Sequence, residues 1–387
     1  MQNIVTCVWK EPGITKGYRT AVSLHGHTSH SQESLSFIPT IARGIPPLRW
    51  AISRHEARAR SKVGVRVDFA RGYWTPPLPP LAAFQLERDQ IERELDLAAL
   101  ISLTDHDNIE APMLLRVIPE SQQIPVSLEW SVPFQDTEFH LGVHNLPGLS
   151  AAAIVARLNA FTALPEQGDL HELLSMLNAL PEVLIVLNHP MWDLPGIGKA
   201  RHRQALSAFV TEYGSYLHAF ELGGLRPWDE NHEVVRFAQG WNQLVIAGGD
   251  RHGCEPSGVM NLTDAASFPE FVEEVRKERR SHILFMSQYQ EPLPLRILHS
   301  LLDVLRDYPD YRAGSRHWDE RVFHPDGTGQ LRPLAEMWRK PPAFIEWFVK
   351  TVHLMESPPL RQVLKLALGN MQNDPGLILG GSQEVAP

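Results

Sequence analysis

The sequence has few of the features that define several large classes of protein. Its 387 residues include only two cysteines, Cys7 and Cys254, which excludes a scaffold built on several disulfides. It contains no run of about 18 apolar residues, the length that a transmembrane helix needs. Its N-terminal stretch lacks the basic start and apolar core of a signal peptide, so we expect a cytoplasmic protein.

Positive charge and glycine-rich loops are also scarce. The formal net charge of -9 argues against long nucleic acid as a partner, because such binding needs a basic face. A small anionic substrate remains compatible with this charge, since metal ions supply positive charge locally. The chain has no glycine-rich loop of the nucleotide-binding types and no Gly-x-Ser-x-Gly elbow of the serine hydrolases. Those catalytic classes are therefore disfavoured.

Histidines and acids instead form five clusters, each directly after or within a short apolar run. The clusters are His25-Gly26-His27, Thr104-Asp105-His106-Asp107, Glu129 with His140, Asn188-His189-Pro190, and Gly249-Asp250-Arg251-His252. They offer eight strong metal ligands: His25, His27, His106, Glu129, His140, His189, Asp250 and His252. Imidazoles mixed with carboxylates suit Zn²⁺, Mn²⁺ or Fe²⁺ better than Mg²⁺ or Ca²⁺. One cluster could arise by chance, whereas five in series indicate a metal centre.

The apolar runs and the segments between them predict alternating strands and helices. Runs rich in Val, Ile and Leu, typical of strands buried on both faces, span 21–24, 97–103, 125–128, 138–143, 183–187, 217–220 and 244–247. Helical patterns span 86–95, 149–161, 170–180, 232–239, 269–279, 294–305 and 343–355. Ligand residues at the ends of such strands are typical of an α/β barrel whose site lies at the carboxyl ends of its strands.

Two segments exceed a minimal barrel. We expect an α/β barrel that carries the metal centre over 1–290, with an insertion at about 38–84, and a C-terminal extension of unknown role over 291–387. The insertion should cover the mouth of the site and shape substrate choice, with Trp74 or Tyr73 as a stacking surface. Its basic residues are the only feature that favours a DNA exonuclease, and a solvated helix face explains them equally well. These residues are Arg54, Arg58, Arg60, Lys62 and Arg66.

Several candidate residues have an alternative. His25 and His27 are two residues apart, so a strand would point both side chains to one face and towards one ion. Glu129 could bridge two ions, which a histidine cannot do. His140 is preferred over His144 for one ligand position. We expect Asp105 to orient His106 or another ligand rather than to bind metal itself.

Other residues near the clusters have open roles. Glu221 ends another predicted strand, where it would contact metal or substrate or support a ligand. Arg226 and Arg251 could each grip phosphate bidentately, or form surface salt bridges. Asp250 or His252 could protonate a leaving group if metal does not occupy it fully. Cys254 lies close to His252 but is expected to be a passive thiol rather than a ligand or nucleophile.

The order of these motifs resembles the PHP (polymerase and histidinol phosphatase) family of metal-dependent hydrolases over roughly residues 20–290. The family pattern contains His-x-His, Thr-Asp-His, a glutamate after the third strand, a histidine in a His-hydrophobic-hydrophobic-Gly setting, a histidine before proline and a closing Gly-Ser-Asp-x-His. The residues that carry the resemblance are His25, His27, Thr104, Asp105, His106, Glu129, His140, His189, Pro190, Gly248, Gly249, Asp250 and His252. Gly249 stands where the family has serine.

The resemblance implies a fold, a cofactor and an activity. The fold would be a distorted (β/α)7 barrel, with two or three Zn, Mn or Fe ions at the mouth. Most members of the family hydrolyse phosphate esters. The family usually has a ninth ligand five or six residues after the second histidine, where this chain has Gln32 and Glu33. Glu33 is the expected ligand and His30 a nearby rival, so the number of ions stays open.

These observations favour a metal-dependent phosphoesterase. Divalent ions lower the pKa of bound water to near 7, so a metal-bridging hydroxide would attack a small phosphate ester or nucleotide. One alternative is an amide-type hydrolase on the same barrel. Another is a catalytically silent metal-binding scaffold, although so many polar side chains buried at one site are costly without a use.

Overall fold

The fold is seen in a computed structural model. It describes residues 2–35, 71–308, 317–337, 343–355 and 357–368, with residues 49, 50, 53, 54, 57, 68 and 69 of the expected insertion. Several predictions therefore lie outside the described residues: those for Arg58, Arg60, Lys62, Arg66 and most of 38–70. No helix in the described part of the chain has both the length and the apolar composition to span a bilayer.

The described chain is mixed α/β. Its strands are β1 Gln2–Cys7, β2 Thr20–Leu24, β3 Glu33–Ser34, β4 Tyr73–Trp74, β5 Ala98–Ser102, β6 Val126–Phe134, β7 Thr137–Leu146, β8 Leu184–Asn188, β9 Ala219–Gly223, β10 Leu244–Gly248, β11 Val259–Thr263, β12 Arg280–Phe285, β13 Val322–Pro325 and β14 Leu331–Pro333. Its α-helices are α1 Pro80–Gln90, α2 Glu110–Leu115, α3 Ala151–Ala163, α4 Gln167–Asn178, α5 Lys199–Tyr213, α6 Trp228–Gly240, α7 Phe268–Glu273, α8 Leu293–Leu305, α9 Leu334–Met337, α10 Ala343–Met355 and α11 Pro358–Leu368. Single π-helical turns extend α1 and α7, at Ile91–Leu95 and Glu274–Glu278.

Two five-stranded sheets form the centre of the molecule. The first has the order β1-β12-β11-β2-β5, and the second has the order β10-β9-β8-β7-β6. Strands β8, β9 and β10 are parallel to one another, whereas β7 is antiparallel to both of its neighbours and β11 to both of its own. The seven predicted strands overlap β2 and β5 to β10, with bounds that differ by up to several residues. The sequence pattern does not predict β1, β11, β12 or α5.

The two sheets meet where the candidate ligands lie. Gly26, just after β2, forms a single bridge with Arg251, just after β10, and His106 forms one with Glu129. The Gly249 amide also donates to the Leu24 carbonyl at 2.8 Å. Among the described residues no continuous ladder closes the two sheets into a ring, so the expected closed (β/α)7 barrel is not shown. What is shown is a mixed α/β fold with two sheets joined at one end.

A third, smaller sheet links the C-terminal extension to the first part of the chain. Its order is β14-β13-β4-β3. Trp74 in β4 pairs with Glu33 in β3 on one side and with Val322 in β13 on the other. The rings of Tyr73 and Phe323 stack at 4.7 Å. The segment that carries Glu33 is therefore held, through β4, by a strand nearly three hundred residues later in the chain.

The largest hydrophobic cluster packs helices against the second sheet. It joins side chains of β6 to β10 to α3, α4, α5 and α6. Trp130 at its centre is fully buried, and its indole N–H donates to Thr162 Oγ1 at 3.0 Å. Strand β8 is buried along its whole length, as its sequence Leu-Ile-Val-Leu-Asn predicts. This rigid support fixes the strand ends from which the polar clusters project.

Candidate metal centre

Strained backbone places several of the candidate ligands. His25, His189 and Asp250 adopt positive φ angles of 63°, 27° and 50°, in the region that residues with a side chain rarely occupy. Each follows directly after or close to the end of a strand, where the chain turns sharply. Such conformations persist only when the surroundings enforce them, and they concentrate at functional sites. The turn at His25 also means that His25 and His27 converge through a bend, and not through simple strand alternation.

One oxygen of Glu129 faces three imidazoles. Its Oε2 lies 3.1 Å from His25 Nε2, 3.4 Å from His27 Nε2 and 3.3 Å from His106 Nε2. The Glu129 side chain is 1% exposed, so no bulk water screens these contacts. Three predicted strand ends, β2, β5 and β6, therefore deliver their polar residues to one point.

The other oxygen of Glu129 faces two more imidazoles. Its Oε1 lies 3.1 Å from His189 Nε2 and 3.3 Å from His140 Nδ1. Asn188 also donates to it, from Nδ2 at 2.9 Å. Glu129 thus sits between two sets of imidazoles, one on each carboxylate oxygen, as a bridging carboxylate would.

Glu33, not His30, reaches the cluster. Glu33 Oε2 lies 3.0 Å from His252 Nε2 and 3.3 Å from His106 Nε2, while Glu33 Oε1 lies 3.4 Å from His27 Nδ1. His30 turns away, with its Nδ1 3.1 Å from the Glu110 carboxylate. The geometry therefore favours Glu33 over its rival for the ninth position.

Asp250 lies on the other side of the same cluster. Its Oδ1 is 3.6 Å from His25 Nε2, 3.7 Å from His27 Nε2 and 3.4 Å from His252 Nδ1. Its Oδ2 accepts a hydrogen bond from Arg226 Nη2 at 2.9 Å. The carboxylate thus has one oxygen towards the imidazoles and one engaged by a cation.

Three groups of these side chains can each hold a metal ion, with all ligand atoms of a group within 4.8 Å of one another. The groups are His27, Glu33, His106 and His252; His25, His27 and Glu129; and His106, Glu129 and His140. Among the described residues, four buried atoms at the centre make no hydrogen bond: His25 Nε2, His27 Nε2, Glu129 Oε2 and His140 Nδ1. A buried polar atom without a partner costs about 1–3 kcal/mol, so this arrangement needs an additional partner. The imidazole and carboxylate donors fit a divalent transition-metal ion.

The pKa values in the cluster follow the balance of burial and charge. Burial disfavours the charged imidazole of His106, but the Glu33 and Glu129 carboxylates outweigh it and raise the pKa to about 10. At His140 the Glu129 carboxylate likewise outweighs burial and raises the pKa of the imidazole to about 9. Burial prevails at His189 and lowers its pKa to about 3. Without metal, His106 and His140 are therefore protonated at neutral pH and hold their places by charge.

Supporting residues fix the orientation of the candidate ligands. Glu221 Oε2 lies 2.5 Å from His25 Nδ1, on the side of the ring away from Glu129. Asp105 accepts two hydrogen bonds from Thr28, from the backbone N–H at 2.6 Å and from the hydroxyl at 2.7 Å. Asp105 therefore fixes the turn after His27 instead of contacting the His106 ring. Carboxylates behind ligand histidines are a common arrangement in metal sites.

Arg251, expected either to grip phosphate or to form a surface salt bridge, is engaged inside the protein. Its side chain is buried, and it donates from Nε to Glu87 Oε1 at 2.5 Å. Nη1 donates to the Gly253 carbonyl at 3.0 Å, and Nη2 to the His27 carbonyl at 3.1 Å. With all three nitrogens engaged inside the protein, Arg251 is a positioning residue that ties the last cluster to the first.

Arg226 is better placed for an anion. Its guanidinium lies 4.1 Å above the Trp192 ring and donates to Asp250, while its Nε lies 3.8 Å from Glu230 Oε1. Trp192 in turn packs edge-on against His189, with ring centroids 4.9 Å apart. The sequence reading missed Trp192, although its position three residues after His189 was a usable signal.

Two other residues lie outside the cluster, at their own sites. His144 Nδ1 hydrogen-bonds to Ser102 Oγ at 2.8 Å, and burial lowers the pKa of His144 to about 3. Its ring is thus a buried polar group of the core, and the preference for His140 agrees with the geometry. Cys254 lies 3.1 Å from the Tyr308 hydroxyl, and burial raises the pKa of its thiol, which disfavours a nucleophilic thiolate.

Two solved structures show partial similarity to this one. A candidate metal-dependent phosphoesterase from Bifidobacterium adolescentis is 15% identical with a TM-score of 0.31, over 52% of this chain and 91% of that one. An amidohydrolase from Chromobacterium violaceum, with bound sulfate and no metal, is 15% identical with a TM-score of 0.32. The match covers 46% of this chain and 83% of that one. No family model and no curated protein matches the sequence. Likeness at this level shows nothing about the function of this protein.

Proposed function

We propose that this protein is a metal-dependent phosphoesterase of the PHP type that acts on a small phosphate ester. The observation that carries the proposal is the environment of Glu129, a buried carboxylate with five imidazoles within 3.4 Å. Four atoms at this point lack hydrogen bonds among the described residues. An ordinary core would not bury so many polar atoms without partners.

The ligands divide among two or three ions. Glu129 would be shared between the ions held by its two sets of imidazoles, and Glu33 with His252 would complete a further position. The full proposed set is His25, His27, Glu33, His106, Glu129, His140, His189, Asp250 and His252. Zn, Mn or Fe suits this mixture of nitrogen and oxygen donors. The two sheets that meet at this point would correspond to the two parts of a distorted (β/α)7 barrel.

The chemistry follows from the charges that the site presents. Divalent cations held here would make hydroxide available near pH 7 and neutralise charge on a phosphoryl group. Arg226 would bind a phosphoryl oxygen through its guanidinium, steadied by Trp192 and Asp250. If metal does not occupy His252, its ring, the most exposed in its group with 18% of the side chain accessible, would give a proton to the leaving alcohol. Asp250 would orient His252 from the Nδ1 side.

Hydrolysis assays on metal-reconstituted protein test the proposal. The protein would be stripped with a chelator, loaded separately with Zn²⁺, Mn²⁺ or Fe²⁺, and assayed with 4-nitrophenyl phosphate and with 4-nitroacetanilide. We expect phosphate release, and a loss of more than about a hundredfold in Glu129→Gln, since removing only an outer partner already costs 10–100-fold. Glu182→Gln is the matched control, because this glutamate lies exposed before β8.

The remaining outcomes separate the alternatives. Cleavage of the anilide without phosphate release would replace the phosphoesterase with an amide hydrolase. Bound metal without turnover of either ester or amide would favour a silent metal-binding scaffold. Equal activity of wild type and Glu129→Gln would contradict the assignment of the site.

A further inference from the structure

A second feature of the site is a cavity of about 650 Å³ beside His252. One wall is the loop that follows Asp250, including Glu255. The other wall comes from the C-terminal part of the chain, with His299 and Ser300 on α8 and Gln288 and Glu291 just before it. This volume is typical of small-molecule sites. Of the nine candidate ligands, His252 alone lines the cavity. The cavity therefore adjoins the metal centre without being part of it.

Two buried polar atoms of the cavity wall make no hydrogen bond among the described residues. The His299 residue is 6% exposed, and its Nδ1 makes no hydrogen bond among the described residues. That nitrogen lies 3.4 Å from Glu291 Oε2 and 3.7 Å from Glu255 Oε1. Gln288 Oε1 is likewise buried without a partner, while its Nε2 donates to Glu94 at 3.1 Å. Buried polar atoms of this kind need hydrogen bonds, which a polar ligand would supply.

The charges of the wall disfavour a second anionic group. Two carboxylates, Glu255 and Glu291, lie on it. Of the two arginines on the wall, Arg251 is engaged by Glu87 and by backbone carbonyls, as described above. Arg296 donates to the carbonyls of Gly224 and Glu291 and lies over the Tyr289 ring. A leaving group with its own phosphate or carboxylate would therefore face two acids, and the Nε and Nη1 donors of Arg296 are already bound to carbonyls.

The wall also lacks a surface for stacking a nucleobase. Within the described residues its lining contains no phenyl, phenol or indole ring. Amide, hydroxyl, imidazole and carboxylate groups outnumber its apolar side chains. Such groups are suited to hydroxyls, which donate to carboxylates and accept from amides and imidazoles.

We infer that this cavity binds the alcohol part of the substrate and that this alcohol is uncharged and rich in hydroxyls, as a sugar is. The inference rests on the proposed phosphoesterase activity. In the reaction a water oxygen would bond to phosphorus, the bond from phosphorus to the sugar oxygen would break, and one water proton would end on the released sugar. The C-terminal helix α8 would thus help to select the substrate.

Kinetics on two esters test the inference. The test compares kcat/KM for glucose 6-phosphate with kcat/KM for 4-nitrophenyl phosphate in the full-length, metal-loaded protein. In His299→Leu and in Glu255→Gln the ratio should fall about tenfold, mainly through KM for the sugar phosphate, as expected for the loss of one hydrogen bond. Ile297→Ala is the matched control, since this residue lies exposed on the same helix and off the cavity.

The outcomes distinguish this inference from the activity on which it rests. An unchanged ratio in both variants, or a wild type that prefers the aryl ester, would overturn the sugar site while leaving the phosphoesterase intact. If the wild type cleaves neither ester, the activity proposal fails, and calorimetric binding of glucose 6-phosphate to the metal-loaded protein decides the inference. Binding weakened about tenfold in His299→Leu and Glu255→Gln would support it, and absent or equal binding would overturn it.

Discussion

Glu129 is the residue on which the site is centred, because a carboxylate offers one oxygen to each of two sets of imidazoles. His25, His27 and His106 face one oxygen, and His140 and His189 the other. A histidine at this position could serve only one set. The sequence signal for this role was simply an acid after the apolar run at the start of β6.

The first prediction at the residue scale concerns Glu221, the carboxylate that contacts the candidate ligand His25. Glu221→Gln removes the charge that faces His25 Nδ1 at 2.5 Å, so His25 becomes a weaker and less fixed ligand. We expect metal affinity to fall about 10–100-fold, as for other carboxylates behind metal-bound histidines. Titration of metal against a competing chelator measures it, with Glu182→Gln as the exposed control. Equal affinities of wild type and Glu221→Gln would show that this carboxylate does not support the site.

The pKa values give the second prediction. His106 and His140, with pKa values raised to about 10 and about 9, must each lose a proton before they can bind metal. Affinity should therefore rise as pH increases from 7 towards 9, and binding at pH 7 should release protons. In the metal-free protein the pH dependence has the opposite sign, because the protonated rings of His106 and His140 stabilise the fold. Their contribution to the free energy of unfolding is fully present below about pH 6.5 and is lost as pH rises through 9 to 10.

Calorimetry in two buffers with different ionisation enthalpies counts the protons released at pH 7. We expect at least about two, one from each of the two rings. A measured heat that does not depend on the buffer, together with an affinity that is constant from pH 7 to 9, would contradict the charge balance described for the site.

Residue types and order could be predicted from the sequence, but contacts could not. The pattern identified the candidates brought together here, and even preferred His140 to His144. It could not decide how Arg251 points, because its partner Glu87 lies in a helix with no motif of its own. It favoured Glu33 but could not exclude His30, since both lie in one short turn and only tertiary packing separates them.

At the scale of elements, the small sheet β14-β13-β4-β3 explains how Glu33 is placed. Strand β3 has only two residues and exists because β4 pairs with it. Strand β4 is also short and is paired on its other side by β13. Such brief strands are not stable alone. The C-terminal extension therefore helps to hold a candidate ligand.

This coupling gives the third prediction. Phe323→Ala removes the ring that stacks on Tyr73 and should loosen the pairing of β13 with β4. The metal position that contains Glu33 should then weaken, so that Phe323→Ala resembles Glu33→Gln in losing about one ion per chain at limiting metal. Metal analysis after gel filtration measures it. Leu331→Ala, exposed on the far strand β14, is the control.

Two results would count against this coupling. One is a Phe323→Ala protein that retains every ion that the wild type retains. The other is a Leu331→Ala protein that loses as much metal as Phe323→Ala, which would indicate general destabilisation instead of a specific effect on β4.

Elements with a continuous apolar run could be predicted, and elements defined by pairing could not. Strand β8, with five consecutive buried residues, has a strong local signal. Strand β11 contains Asn261, whose side chain bonds the backbone of β2 and β10, so its polar residue hides the strand pattern. Strands β3 and β4 depend on partners far away in the sequence. The antiparallel direction of β7 and β11 is likewise set by tertiary packing. The alternation of predicted strands and helices along the chain does not indicate it.

At the scale of the whole molecule, the metal centre couples the two main sheets. His25 and His27 follow β2 of the first sheet, whereas His140, His189 and His252 lie on or after strands of the second. Among the described residues the sheets lack a continuous hydrogen-bonded closure. Ions bound between them would therefore act as a link that the backbone does not provide.

This link gives the fourth prediction. A ligand that binds only the folded state stabilises it by about 2.7 kcal/mol at a hundredfold excess over its Kd. Zn²⁺ or Mn²⁺ should therefore raise the urea midpoint of unfolding, and a chelator should lower it. The effect should be much smaller in Glu129→Gln. Equal midpoints with metal and with chelator in the wild type would contradict a structural role for the ions.

The most direct test of the central claim is the anomalous diffraction of crystals grown with Mn²⁺ or Zn²⁺. The account predicts two or three anomalous peaks around Glu129, each about 2.0–2.3 Å from nitrogen or oxygen atoms of the proposed ligands. His25, His27, His140 and His189 should all be coordinated. The absence of a peak within reach of Glu129, at a metal concentration that saturates the protein in solution, would contradict it.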